Sequence, residues 1–231
     1  MKNASSAERQ MAEGDWAFSF NVTYQNHGPY FDDRLTSDTI YVPQGTLSDS
    51  DYYIINNYLT GVADTGAQMR AFCDRFRDSE EPVMIVFFGD HRPWLGEQSV
   101  TYAALGIDLD APGGSGATAT YLTDYRIWAN GAAKETLGRP FCGEGSTIGP
   151  CFLMNELFRQ CSWEGPAYLK LTNAVMERTP VVSTDDWYGT LGMLGGWETL
   201  DDAAQAAIEQ IQRVQYDLAR EEERAAQGKN S

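Results

Sequence analysis

Histidine is scarce in this chain: His27 and His91 are the only two in 231 residues. Cysteine is nearly as rare, and Cys73, Cys142, Cys151 and Cys161 include no CxxC pair, which argues against a zinc cage. One disulfide among Cys142, Cys151 and Cys161 would suit an extracellular protein, but free buried thiols are the ordinary expectation. No apolar run reaches the roughly 18 to 20 residues of a membrane span, and residues 1–14 are too polar for a signal peptide. Basic residues are outnumbered, 17 Lys and Arg against 33 Asp and Glu, for a formal charge of −16. Such a surface repels nucleic acid and anionic lipid, although a divalent cation would reverse the sign locally. Neither histidine is accompanied by a G-x-S-x-G elbow, so serine or cysteine hydrolase chemistry has no support.

What is present suffices for a folded α/β domain: 42% of residues are hydrophobic and 12% aromatic. After a flexible tail over residues 1–15, the aromatic run Trp16-Ala17-Phe18-Ser19-Phe20-Asn21-Val22 predicts a strand. A long loop over 24–47 follows, broken by Pro29, Pro43 and Gly45. Ile54, Ile55, Tyr58, Leu59, Val62, Met69, Phe72 and Phe76 share one face of a helix spanning about 48–78. Val83 to Phe88 then read as a second strand, running into Gly89-Asp90-His91. Strand, crossover helix and strand imply a parallel, right-handed pair, and both histidines would then lie on the rim where α/β sheets collect ligands.

Further on, a short helix is expected near 97–105, and Ala111 to Gly116 has linker composition. A phosphate cradle there lacks the Lys-Ser/Thr that should follow. A strand is expected around Arg126–Ala129, and helices over 148–160, opened by Pro150, and 166–178. An amphipathic helix over 200–227, striped by Ile208, Ile211, Val214 and Leu218, is expected to dock on the chain's own core. Residues 16–200 thus form the main domain, and 201–231 a terminal helix and frayed tail.

Asp90 and His91 offer one hard oxygen and one borderline nitrogen, suited to Mn²⁺ or Zn²⁺ rather than Ca²⁺. A hydrogen-bonded structural pair is the alternative, and two ligands fall short of the four or so that a tetrahedral site needs. His27 can either cap its loop beside Pro29 or donate to an anionic substrate. Asp32-Asp33 and Asp185-Asp186 read as solvated loop charges, with paired carboxylates for metal or glycoside chemistry as the rival. Asn21-Val22-Thr23 fits a glycosylation acceptor by letter but falls in the expected buried strand.

Taken in order, Phe20 to Tyr30 with its Asn26-His27-Gly28-Pro29-Tyr30, the helix through Tyr58 to Asp64, Ile85 to Gly96 with its Gly89-Asp90-His91-Arg92-Pro93, Tyr125 to Asn130, and Gln215 to Leu218 form a recognisable series. Together they resemble the sulfatase-type domain of the lipoteichoic acid synthase and phosphoglycerol transferase family, within the alkaline phosphatase superfamily. The likeness runs over about residues 16–220. It implies a partial three-layer α/β/α domain with a mostly parallel sheet. It also implies that Asp90 and His91 ligate one divalent ion, Mn²⁺ first, with Mg²⁺, Zn²⁺ or Ca²⁺ as alternatives, and that His27 contacts the phosphate or sulfate group. The family's other half supplies an acidic metal ligand and a threonine nucleophile. Nothing before residue 16 matches that half. The expectation is therefore a C-terminal half-domain, inactive alone, whose partners are the N-terminal half and a phosphoglycerol lipid or glycan substrate. The parent protein would be membrane-anchored with an extracellular catalytic domain modifying cell-envelope polymers. A sulfate ester hydrolase and a non-catalytic binding domain are the rivals.

Overall fold

The structure, a computed structural model, describes residues 17–111, 114–183, 187–190 and 193–228. The chain divides into two compact units, one of residues 1–109 and 119–142, the other of 110–118 and 143–231.

The first unit is built on α1 (Asp49–Phe76). Ser48 starts it by accepting from the Asp51 amide, and Asp49 and Asp51 sit in the first turn, where the helix dipole favours negative charge. Ile54 and Ile55 pack with Leu95 and Tyr102 into a core flanked by Tyr30, Val42, Leu47, Tyr58 and Leu59. β1 (Met84–Phe88) pairs with β2 (Tyr125–Ala129). Between them in sequence come a 3-10 turn (Glu97–Ser99), α2 (Val100–Ala104) and α3 (Gly114–Tyr121), the first part of which is counted with the second unit; α4 (Gly131–Leu137) follows β2.

Three buried asparagines organise this unit. Asn56 Oδ1 accepts from the Tyr41 and Val42 amides at 2.8 and 3.0 Å, and its Nδ2 donates to the Val42 and Tyr52 carbonyls. Asn57 Oδ1 accepts from the Thr36 amide and hydroxyl, while its Nδ2 donates to the Phe31 and Arg34 carbonyls. The long loop after His27 therefore hangs on two helix side chains that supply the backbone partners it lacks. Asn130 caps α4 through the Ala133 amide, accepts from Val83 and donates to the Phe76, Ser79 and Glu81 carbonyls, tying the end of α1 to the start of β1.

The second unit contains a 3-10 turn (Pro150–Phe152), α5 (Leu153–Cys161) and α6 (Ala167–Met176). A small sheet of β3 (Val181–Val182), β4 (Tyr188–Thr190) and β5 (Met193–Gly195) follows, then a 3-10 turn (Trp197–Thr199) and α7 (Asp202–Gly228). Phe152, Val175, Met176, Tyr188 and Ile208 form its core, with Ile211 packed alongside. The expected stripe of the last helix docks on this core through Ile208 and Ile211, while Leu218 stays exposed. Asn155 joins α5 to α6 through the Leu169 carbonyl and the Thr172 and Asn173 side chains.

Three expectations change. β1 and β2 run antiparallel, with Met84 opposite Ala129 and Phe88 opposite Tyr125, and the small sheet is antiparallel too, so the described strands do not form the mostly parallel sheet expected. Periodicity reports which face a strand buries, not the direction of its neighbour. Residues 17–24 carry no strand, because no described strand supplies their ladder; Phe18, Phe20, Val22 and Tyr24 stand 76%, 68%, 82% and 80% exposed, and Asn21 is exposed as well rather than buried. The linker-like stretch gives way to α3 from Gly114 onward. The four cysteines are free thiols; Cys161 is buried, whereas Cys142 and Cys151 are exposed. No described helix is long and apolar enough to cross a membrane.

Candidate functional site

Both histidines lie in the first unit, on loops held from several directions. The Asp90-His91 loop leaves β1 at Gly89, whose amide donates to Asp124 and whose carbonyl accepts from the Thr123 hydroxyl at 2.8 Å. A Cβ at Gly89 would meet the Thr123 side chain at 3.2 Å, a tight contact that glycine avoids. At the far end, Leu95 is buried in the core and the Tyr102 hydroxyl donates to the Pro93 carbonyl at 2.7 Å.

The His27 loop is anchored to α1 and to its own start. Asn26 takes a left-handed backbone (φ 61°) and donates from its side chain to the Tyr58 carbonyl; the Tyr30 hydroxyl donates to the Asn26 carbonyl at 2.7 Å. Asn26 fits against α1 only because residue 61 is glycine, since a Cβ there would overlap its amide. Gln25 donates to Asp64. Gly28 lies against Trp94, which brings the two loops into contact.

The imidazoles meet edge to face, with centroids 6.4 Å apart and planes at 90°. Tyr24 stacks on His27 with centroids 4.4 Å apart. Each Nδ1 sits 2.7 Å from the carbonyl of the next residue, Gly28 for His27 and Arg92 for His91. A carbonyl only accepts, so both Nδ1 atoms carry the proton and both Nε2 atoms are left for other partners. His91 Nε2 lies 3.6 Å from Asp90 Oδ2, while Asp90 Oδ1 accepts from the His91 amide. A lone pair facing a carboxylate is unfavourable unless a proton or a metal ion comes between them. The 3.6 Å gap is one that two ligands at about 2.1 Å from a shared ion can span. Asp90 and His91 are 80% and 58% exposed at their side chains, open to a ligand.

The donor set is incomplete. Among the described residues no group of three or more His, Cys, Asp and Glu is gathered for a metal ion. Asp90 and His91 are two donors, fewer than the four or so ligands that a tetrahedral site takes.

Sequence reasoning overlooked Arg92. Its Nε is buried with no hydrogen-bond partner, and leaving such a donor unmade costs about 1–3 kcal/mol, more for a charged group. Its charge acts on the Tyr58 and Tyr102 phenols, favouring ionisation against the burial that pushes both up. Burial, then Tyr58 and Tyr102, pushes the Tyr30 hydroxyl up to about 12. The available signal was position: an arginine directly after the Asp-His pair in an acid-rich chain.

Asp32 and Asp33 stay in the loop, and Asp33 pairs with Arg34 at the surface rather than with a second carboxylate. Asp185 and Asp186 fall outside the described residues.

The sulfatase family model matches residues 5–147, which cover His27, Asp90, His91 and both loops. The chain belongs to the sulfatase family. It is also 30% identical over 168 residues to a Rhizobium meliloti (strain 1021) protein whose name provisionally assigns it to cyclic beta-1,2-glucan modification. That alignment takes in 71% of this chain and 25% of the relative, so the chain spans about a quarter of the relative's length. No solved structure is matched.

Proposed function

We propose that this sulfatase-family chain contributes one side of a metal-assisted site that transfers or hydrolyses an anionic ester, with a phosphoglycerol group moved onto a cell-envelope glycan as the reaction. The observation that carries the reading is the convergence of His27 on the Asp90–His91 corner, with both imidazoles presenting Nε2. Asp90 and His91 would hold the ion, Mn²⁺ foremost. A divalent ion held there would supply positive charge to the ester oxygens. His27, fixed by the Gly28 carbonyl and backed by Tyr24, orients toward the same space and donates to the substrate's oxygen when its Nε2 carries a proton. The resemblance assigns the threonine nucleophile and the acidic ligand to another part of the domain. Membrane anchoring and an extracellular setting belong to the same proposal for the parent protein.

The glucan-modifying name of the relative supports a glycan acceptor, and the family's name favours sulfate esters as the second reading. Thermal or chemical unfolding with Mn²⁺ tests the metal: at a hundred times its Kd it should add about 2.7 kcal/mol, and Asp90→Ala should abolish the gain. An unchanged midpoint at saturating Mn²⁺ would leave a non-catalytic binding domain as the better account. Turnover of a phosphodiester against a sulfate ester by the parent protein separates the two chemistries.

A further inference from the structure

Trp94 lies on the Asp90-His91 loop between two residues that are fixed. The Pro93 carbonyl accepts from the Tyr102 hydroxyl at 2.7 Å, and Leu95 is buried in the core of the first unit. The indole between them nevertheless stays 44% exposed. It is set against the other histidine loop, since a Cβ at Gly28, the residue after His27, would lie 3.5 Å from Trp94 Cε3 and 3.5 Å from the Trp94 carbonyl. Two other half-open aromatics have partners: Phe31 lies under the Arg34 guanidinium, 3.7 Å from its ring centroid, and Trp163 meets Phe158 edge to face. Among the described residues no ring or cation stacks on the Trp94 indole. Tyr24, which stacks on His27, is itself 80% exposed, so two open rings border the imidazoles. Large exposed rings beside hydrogen-bonding groups mark a ligand site in a way that a single surface aromatic does not.

We propose that Trp94 is the platform of a sugar subsite, its indole stacking on one uncharged hexose ring of the glycan acceptor beside the His27 and His91 loops. This rests on the proposed function and deepens it, by naming the residue that recognises the acceptor rather than the transferred group. The chemistry of the patch selects such a ligand. Its rings are Trp, Tyr and His, each apolar over its body and polar at one atom, and the formal charge of −16 disfavours an extended polyanion. A hexose has the matching character: C–H groups on one face of the ring for the indole, and hydroxyls at its margin for hydrogen bonds. An indole whose backbone is held on both sides loses little freedom on binding, so a single ring can contribute to selectivity.

The test is a titration of the 231-residue chain, its six tryptophans replaced by 5-fluorotryptophan, with a neutral β-1,2-linked glucose tetrasaccharide. The Trp94 ¹⁹F resonance, assigned by its loss in Trp94→Phe, should move along a saturable curve and should not do so with glycerol. Affinity, read from saturation transfer to the sugar's C–H protons, should fall about threefold to tenfold in Trp94→Ala. A resonance that stays still, or that drifts linearly as it does with glycerol, overturns the proposal; that reading needs no variant to fold beyond the one that assigns the signal. Sugar binding that Trp94→Ala leaves unchanged overturns it too. A Trp94 shift that follows protein concentration instead of sugar also overturns it, and gives the indole to contact between copies. Mn²⁺ stabilisation of the unlabelled chain keeps this idea apart from the metal site. Sugar saturation without a metal effect leaves Trp94 standing and removes the metal; a metal effect lost in Asp90→Ala beside a silent Trp94 does the reverse.

Discussion

One amide, that of Asn130, holds the C-terminal end of α1, the turn before β1 and the first turn of α4. Asn130→Ala leaves buried carbonyls and amides without partners, and we expect a loss of about 3 kcal/mol or more in urea unfolding, with Asn130→Asp recovering only the acceptor side. Asn57→Ala should cost about 2 kcal/mol and release the loop around Thr36, which amide hydrogen exchange would register as faster exchange confined to residues 31–36. Tyr30 makes stability depend on alkaline pH. Its folded-state value of about 12 lies above the unfolded value near 10, so its contribution is complete below about pH 10 and disappears as pH rises through 12. Unfolding midpoints taken from pH 9 to 12 should fall over that window, and the fall should be shallower in Tyr30→Phe. None of these roles was visible in the sequence. An asparagine on a helix face or after a strand looks the same whether it meets water or a distant carbonyl, and only the fold supplies the carbonyl.

Elements that depend on local periodicity were legible. The expected helix over 48–78 is α1, and those over 148–160, 166–178 and 200–227 correspond to α5, α6 and α7 within a few residues. Strands were legible only as segments: β1 and β2 lie where their apolar runs suggested, but their mutual direction depends on contacts far apart in sequence. The two hydrogen bonds that link Gly89 to Asp124 and Thr123 at the end of the β1–β2 ribbon could not be anticipated from spacing. The two-residue β3 and the three-residue β4 and β5, which contain Gly189 and Gly195, are too short to register as strands at all. In α5, Glu156 is buried; burial pulls its carboxyl up, but hydrogen bonds from Arg159 and Gln160 bring it below its ordinary value. Its contribution is therefore present above the unfolded value and is lost as pH falls through the lower folded one. Because Arg159 is half exposed, we expect Glu156→Ala to cost only about 1–2 kcal/mol, readable as a lower denaturant midpoint at pH 7.

At the scale of the whole molecule, apolar surface left outside the two cores should govern solution behaviour. Phe18, Phe20, Val22 and Tyr24 recur every second residue and are all open to solvent, and Phe87 and Phe88 of the two-stranded ribbon are also exposed. A row of this kind favours association between copies. We expect concentration-dependent oligomers by light scattering after gel filtration, and a shift toward monomer in Phe18→Ser/Phe20→Ser/Val22→Thr with an unchanged melting transition. The sequence exposed the alternation but not its fate, since burial of that face needs strands that no described part of the chain provides.

The two carbonyl clamps on His27 and His91 have one more implication. Each ring is held by the carbonyl of the residue that follows it, and a peptide oxygen neither ionises in the working range nor changes when a neighbouring side chain is exchanged. Under the proposed function, what surrounds these rings can change to suit one headgroup or sugar over another while each clamp keeps Nε2 as the atom presented.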